Sequence, residues 1–168
     1  MEQQAKQGVV LQNAADSVQD RKGLLGKMET LIKSGDFNSG PGAEQWKNLT
    51  AALQRPFGIE SQSVSSQDEF NKLAAQLARE QFKTLGGTGT DAKLESAMSV
   101  SPNSGLSNRS NERIVALLKG NEDAIGVKNQ EWQKYKSENG AGNYSKFSTK
   151  FNKDYDPRVF QAQYMSKP

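Results

Sequence analysis

The sequence lacks histidine and cysteine altogether over its 168 residues. Without cysteine, the chain forms no disulfide bond and offers no thiolate to a metal ion. Without histidine, it has no side chain whose ordinary pKa lies near neutrality, which is the usual choice for a general acid or base. A hydrolase built from this chain would have to rely on carboxylates alone. The sequence therefore predicts a protein that is not an enzyme and that holds no metal or cofactor.

Apolar residues are also scarce. They make up 34% of the chain, below the roughly 45–50% of globular domains, a figure that also counts glycine. The mean hydropathy is −0.80. No run approaches the ~18 apolar residues of a membrane span, and the first residues lack the basic and apolar regions of a signal peptide. We expect a modest core, no membrane span, and a location in the cytoplasm or in a particle assembled there.

The chain carries both positively and negatively charged residues, and its net charge is small. The net charge of +3 comes from the C-terminal part, because residues 1–106 carry −1 and residues 107–168 carry +4. Dedicated nucleic-acid binders usually show a denser basic stripe. The charge balance permits contact with nucleic acid without demanding it.

Helical periodicity is the main pattern that the sequence does contain. Apolar residues recur at steps of three and four, most clearly at Ile114, Leu118, Ile125 and Trp132, which share one helical face. The same pattern predicts helices over residues 2–33, 43–54, 66–85, 110–137, 144–151 and 157–165, with a short helix near residues 91–98. The sequence therefore predicts an all-α fold, a small irregular helical bundle of five to seven helices with negligible sheet.

Clusters of glycine and proline separate these helices. Residues 34–42 (SGDFNSGPG) predict a loop, and Pro56 ends the helix that follows it. We expect an N-terminal helical segment over residues 1–58 and a C-terminal helical domain over residues 59–168. The apolar stripe from Val10 to Ile32 must be covered, either by this domain or by another chain. Both an arm and a packed segment are therefore consistent with the sequence.

Three polar stretches are candidates for chemistry, and each favours a structural explanation. Residues 86–91 (GGTGTD) precede a helix as phosphate-binding loops do, but no strand precedes them and no Gly-Lys-Ser/Thr follows. Glu60 begins a Glu-Ser pair similar to that of lytic transglycosylases, yet it lies in a polar connector without an identifiable second carboxylate. Asp36 and Asn38 fit a solvated turn better than a cation site.

The acidic residues of the long helix are Glu122, Asp123 and Glu131. Their positions predict a solvated face beside the apolar stripe, with Lys119 and Lys128 near enough to pair with them. Without histidine or a second acidic cluster, they predict no metal site.

Aromatic and basic residues alternate in the C-terminal stretch. Tyr144, Phe147 and Phe151 recur at helical spacing and therefore predict a buried face. Proteins that bind single strands also place basic residues between aromatic ones, so the intervening cations are a candidate surface for a partner or for nucleic acid. That surface consists of Lys146, Lys150, Lys153 and Arg158.

Four pieces of the chain together resemble a known group of proteins. The pieces are GGTGTDAKLESAM (residues 86–98), IVALLKGNEDA (114–124), KNQEWQKY (128–135) and FSTKFNKDYDPRVF (147–160). They resemble the C-terminal region of uncharacterised virion-associated proteins of tailed bacteriophages and prophages, of the ejection or internal virion type. The resemblance implies a place in the virion, or in the host cytoplasm during assembly, and it implies no catalytic residues.

The function expected from these observations is that of a non-enzymatic structural or interaction protein of a tailed-phage virion, internal to the particle or associated with DNA ejection. Its expected partners are other virion proteins or further copies of itself, with weak DNA contact and no small-molecule substrate. One alternative is a virion-associated enzyme that degrades peptidoglycan. Another is a cytoplasmic phage protein that binds nucleic acid or inhibits a host protein.

Overall fold

A computed structural model of the chain describes residues 2–34, 40–57, 59–60, 64, 67–85, 108–154, 159–160 and 163–164. These residues contain six α-helices and no β-strand, which confirms the predicted all-α fold and the predicted number of helices. The helices are α1 (Glu2–Asp16), α2 (Val18–Ser34), α3 (Gly40–Gln54), α4 (Gln67–Leu85), α5 (Asn108–Asn139) and α6 (Tyr144–Asp154). Short 3₁₀ turns over Arg55–Phe57 and Ala141–Asn143 follow α3 and α5.

The 32-residue helix α5 is the element on which the others pack. Helix α2 runs antiparallel to it, since Lys22 pairs with Asp123 while Glu29 pairs with Lys119 further towards the start of α5. Helix α1 continues this course, since Gly8 lies against Trp132, further towards the end of α5. Helix α2 therefore covers the N-terminal half of α5, and α1 covers the C-terminal half.

Helices α4 and α6 cover successive parts of α5. The Gln81 side chain of α4 donates to the Leu118 carbonyl, and the Leu85 carbonyl at the end of α4 accepts from Lys128, so α4 runs parallel to α5. Helix α6 returns antiparallel along the C-terminal half, where Phe147 packs on Trp132 with ring centroids 5.3 Å apart.

Two apolar clusters form the interior. The Trp46 core lies on the N-terminal half of α5, and the Trp132 core lies on the C-terminal half. The Trp46 core consists of Leu25, Met28, Leu31, Ile32, Trp46, Leu53, Val64, Phe70, Leu73, Ala74, Leu77, Ala78, Ile114, Val115, Leu117 and Leu118. The Trp132 core consists of Leu11, Val18, Leu85, Ala124, Ile125, Trp132, Tyr144, Phe147 and Phe151.

The division expected at residue 58 does not separate these cores. Each core contains residues from both sides of that position, because α2 contributes Leu25 and Met28 to the Trp46 core and α1 contributes Leu11 to the Trp132 core. The apolar stripe of the first 34 residues is thus covered by the chain's own α5. The arm alternative is corrected to a packed pair of helices.

Some helix boundaries differ from those predicted. The single helix expected over residues 2–33 is interrupted at Ser17, where the Arg21 side chain donates to the Ala14 carbonyl at 2.5 Å and so satisfies a group freed by the end of α1. Helix α3 begins at Gly40, inside the expected loop. Helix α5 begins at Asn108, two residues before the predicted start, and it continues through both of its glycines.

The C-terminal aromatic residues pack as the periodicity predicts. Trp132, Phe151 and Phe160 belong to one cluster, since Phe160 packs against the Trp132 core. Val159 lies in the helix predicted over residues 157–165, whose periodicity favours a buried position for it, but it is 62% exposed. Of the residues predicted for that helix, 159–160 and 163–164 are described; the first two are helical and the last two form a turn.

One glycine fixes how closely α1 approaches α5. A Cβ atom added at Gly8 would lie 2.7 Å from Nε1 of Trp132, whose ring is buried and surrounded by Tyr144 and Phe147. Such a distance is shorter than a van der Waals contact, and the packed indole has no space into which it can move. Gly8 is therefore a packing requirement of the Trp132 core.

We expect Gly8→Ala to destabilise the protein by roughly 1–3 kcal/mol, because the added methyl group overpacks the indole. Denaturant unfolding followed by tryptophan fluorescence measures this. The matched control is Gly23→Ala in α2, where an added Cβ meets nothing within 4 Å and where alanine should stabilise the helix by about 0.5–1 kcal/mol. Equal stability changes for the two variants would show that α1 does not pack on Trp132 as described.

Candidate functional site

A layer of buried polar side chains separates the two cores. This polar layer consists of Arg21, Gln81, Asn121 and Glu122, none of which is more than 4% exposed. In each of α2, α4 and α5, one residue of the polar layer lies, along the sequence, between a member of the Trp46 core and a member of the Trp132 core. The sets are Val18, Arg21 and Leu25 in α2; Leu85, Gln81 and Ala78 in α4; and Ile125, Glu122 and Leu118 in α5.

An ion pair with two hydrogen bonds lies at the centre of this layer. The Arg21 Nε atom lies 2.8 Å from Glu122 Oε1 and 2.9 Å from Oε2. Gln81 Nε2 donates to Glu122 Oε1 at 2.8 Å, and Gln81 Oε1 accepts from Asn121 Nδ2 at 3.0 Å. The carboxylate thus receives donors from α2 and α4, as a buried charge requires.

Burial raises the pKa of the Glu122 carboxyl, and the Arg21 guanidinium opposes that shift. Both effects are those of a carboxylate removed from water beside a single cation. The predicted solvated face is therefore wrong for Glu122. It holds for Asp123 in part, since Asp123 pairs with Lys22 at 2.6 Å near the surface. Glu131 is half-buried.

Lys128 is a second buried cation, fully buried rather than part of a solvated face. Its Nζ atom donates to the Leu85 carbonyl at 2.6 Å, to Ser148 Oγ at 2.7 Å and weakly to Asn152 Oδ1 at 3.5 Å. The ammonium group thereby joins the C-terminus of α4, where the helix dipole favours a cation, to the middle of α6.

Aromatic rings complete the surroundings of Lys128. Its Nζ atom lies 5.8 Å from the centroid of Tyr144 and 5.5 Å from that of Phe151. Each distance lies within the range of a cation–π contact. Burial lowers the pKa of Lys128 to about 8 and raises that of Tyr144 to about 12. Both shifts favour the uncharged forms of these groups.

The sequence contains a signal for these buried charges that the interpretation of a solvated face overlooked. Glu122 lies four residues after Leu118 and three before Ile125, and Lys128 lies three after Ile125 and four before Trp132. These steps place both charges on the apolar stripe itself. Spacing therefore identifies their burial, whereas it gives no indication that Arg21 is the partner of Glu122.

Three of the four residues of the predicted basic surface fall among the described residues. Lys146, Lys150 and Lys153 are exposed and lie at steps of four and three along α6. Arg158, the fourth member, lies outside the described residues. The three lysines form no ion pair within the part of the chain that the structure describes.

A cleft of about 250 Å³ lies beside these lysines, between α5 and α6. Lys150 borders it, together with Lys134 and with the carboxylates of Glu131, Glu138 and Asp154. Because both signs of charge surround the cleft, it does not select for anions. Among the described residues, the candidate surface for a polyanion is the one formed by Lys146, Lys150 and Lys153.

The other residues that the sequence offered as candidates for chemistry do not indicate a catalytic or binding site. The side chain of Glu60 is exposed, whereas a carboxyl group that serves as a general acid is usually buried. Residues 86–91, Asp36 and Asn38 lie outside the described residues. Within the described ranges, no group of three or more carboxylates could hold a metal ion, and no helix is long and apolar enough to cross a membrane.

Comparison of the chain with models of protein families, with curated proteins and with solved structures gives no match. The fold and the charges described above therefore provide the argument about function, together with the resemblance noted in the sequence.

The lowered pKa of Lys128 gives an expected pH dependence. The ammonium has an ordinary pKa of 10.5 and a pKa of about 8 in the folded chain, so between these values the unfolded chain binds more protons. The contribution of Lys128 to the free energy of unfolding should therefore rise with pH across this window, by up to roughly 3 kcal/mol. Denaturant unfolding at pH 7 and pH 9.5 measures most of this rise while Tyr144 stays protonated.

The variant Lys128→Met isolates this effect. In it, the rise in the free energy of unfolding that Lys128 causes between pH 7 and pH 9.5 should be absent. Lys134→Met removes an exposed lysine from the same helix and should retain it. If wild type and Lys128→Met show the same change of stability with pH, the ammonium of Lys128 is not desolvated.

Proposed function

We propose that the chain is a non-enzymatic structural or interaction protein of a tailed-phage particle. The proposal rests on one observation, namely which groups the buried charged side chains contact. The charged side chains buried in the described part of the chain are Arg21, Glu122 and Lys128, and each is bound to groups of the chain's own helices. Such groups hold a fold together and are not presented to a substrate.

The phage context comes from the sequence resemblance, which covers residues in α5 and α6. The surface gives a physical reason to expect partners. Val9 and Val10 of α1 are 54% and 56% exposed, and three exposed lysines on α6 form no ion pair among the described residues. Exposed apolar side chains beside charged helical faces are typical of contact between proteins.

The hypothesis that the chain is a peptidoglycan-degrading enzyme is less favoured. Hydrolysis of a glycosidic bond needs two carboxyl groups held about 5–9.5 Å apart across the scissile bond. Glu60 is exposed and has no identified second member. Nucleic-acid binding is favoured only by Lys146, Lys150 and Lys153, and three cations neutralise few phosphates, which gives weak and strongly salt-dependent binding.

Mass spectrometry of phage particles purified at successive assembly stages tests the proposal. We expect the chain to be present at a constant ratio to the major capsid protein, while a host cytosolic protein monitored in the same samples is depleted at each step. Absence from particles at every stage would remove the structural role.

Zymography on peptidoglycan distinguishes the non-enzymatic proposal from the alternative of a peptidoglycan-degrading enzyme. We expect no lysis by wild type or by Glu60→Gln. Lysis by wild type that disappears in Glu60→Gln would overturn the non-enzymatic assignment.

A further inference from the structure

The cleft of about 250 Å³ between α5 and α6 is lined by three aromatic rings. Tyr135 belongs to α5, whereas Phe147 and Phe151 belong to α6. The ring centroids of Tyr135 and Phe147 lie 5.6 Å apart, and those of Phe147 and Phe151 lie 6.0 Å apart, so the rings form one continuous aromatic lining. Both phenylalanines pack in the Trp132 core, and Tyr135 packs against it. The lining is therefore held in place by the fold before any ligand binds.

Charged groups border this aromatic lining. Three carboxylates and two ammonium groups line the cleft, which gives it a net charge of −1. The carboxylates are those of Glu131 and Glu138 in α5 and of Asp154 in α6, and the ammonium groups are those of Lys134 and Lys150. Within the described residues, none of the three carboxylates forms an ion pair, not even with the two lysines beside them. The cleft thus has carboxylates available to a cation from outside the chain.

The negative charge is concentrated towards one end of the cleft. Asp154 is the last residue of α6, where the helix dipole already favours a cation. Glu131 lies on the neighbouring part of α5, because Lys128, three residues before it, contacts Asn152, two residues before Asp154. Two carboxylates and the C-terminus of a helix therefore border the same end of the cleft, next to the aromatic lining.

We propose that this cleft binds an arginine side chain of a partner protein. A guanidinium group is planar and weakly hydrated, so it stacks on aromatic rings while its N–H groups donate to carboxylates. The cleft offers both kinds of contact, and its net negative charge favours a cation. Its volume is below the roughly 300–1,000 Å³ of sites for small molecules, which suits a single side chain. The inference deepens the proposed role as an interaction protein and rests on it.

Peptide titration of the ¹⁵N-labelled full-length protein at low salt tests the site. The probe is the peptide acetyl-Gly-Gly-Arg-Gly-Gly-amide, and it should shift the amide signals of Glu131, Tyr135, Phe151 and Asp154. The same peptide with citrulline, which has the shape of arginine without its charge, should bind about tenfold more weakly, because it loses the charge-assisted hydrogen bonds to the carboxylates. The peptide with lysine should bind about two- to fivefold more weakly than the arginine peptide, since an ammonium group does not stack on a ring.

Two variants of the protein locate the contacts. Asp154→Asn removes a carboxylate of the cleft, and Tyr135→Leu removes a ring of its lining while keeping an apolar side chain. Each should weaken binding of the arginine peptide by about two- to fivefold. The matched control is Glu44→Gln, which removes an exposed carboxylate of α3 outside the cleft and should leave the affinity unchanged. Because Asp154 is exposed, its variant should fold even if Tyr135→Leu does not.

Several outcomes contradict the site. Equal binding of the arginine and citrulline peptides, signal shifts that map outside the cleft, or the same affinity in Asp154→Asn and Glu44→Gln would each overturn it. A lysine peptide that binds as tightly as the arginine peptide would overturn the assignment of a guanidinium group. These outcomes are separate from the proposed role in the particle, because a chain that binds no arginine peptide could still be found in purified virions.

Discussion

The buried ion pair between Arg21 and Glu122 is the interaction on which the arrangement of the helices depends. Arg21 also donates to the Ala14 carbonyl at the end of α1, and Glu122 accepts from Gln81 of α4. One guanidinium and one carboxylate thus connect four helices. Desolvation makes such a pair a poor source of net stability, but breaking it by removing one partner is costly. The pair therefore specifies which residues of α2 and α4 lie opposite which residues of α5.

Lys128 has a related role nearly two turns beyond Glu122 in α5. It binds the last carbonyl of α4 and the side chains of α6 that face it, and so fixes where the Trp132 core begins. The charges that could have suggested catalysis in this chain are instead those that position its helices. Among the described residues, the surface that could meet a partner includes the exposed lysines of α6 and the exposed valines of α1. For this reason we propose that the protein binds other proteins.

The sequence predicted the helices well because apolar spacing is a local property. The aromatic face of Tyr144, Phe147 and Phe151 and the end of α4 at Leu85 are as expected. The partnership of Arg21 with Glu122 joins residues 101 positions apart, and local spacing carries no information about such pairs. For the same reason, the sequence did not show that α1 and α2 pack on α5, or that Gly8 makes room for Trp132. Of the candidate surface, Lys146, Lys150 and Lys153 are exposed, while Arg158 lies outside the described residues, so its role as a binding surface stays a prediction.

A double-mutant cycle on Arg21 and Glu122 tests this account most directly. The free energy of unfolding is measured for Arg21→Met, Glu122→Leu and the double variant, with the exposed Lys83–Glu80 pair as the reference, whose coupling should stay below about 1 kcal/mol. We expect each single change to cost about 3–5 kcal/mol, because it leaves a buried charge unpaired. The double variant should cost at least about 2 kcal/mol less than the sum of the single changes. Additive costs within about 0.5 kcal/mol would contradict the claim that this pair connects the helices.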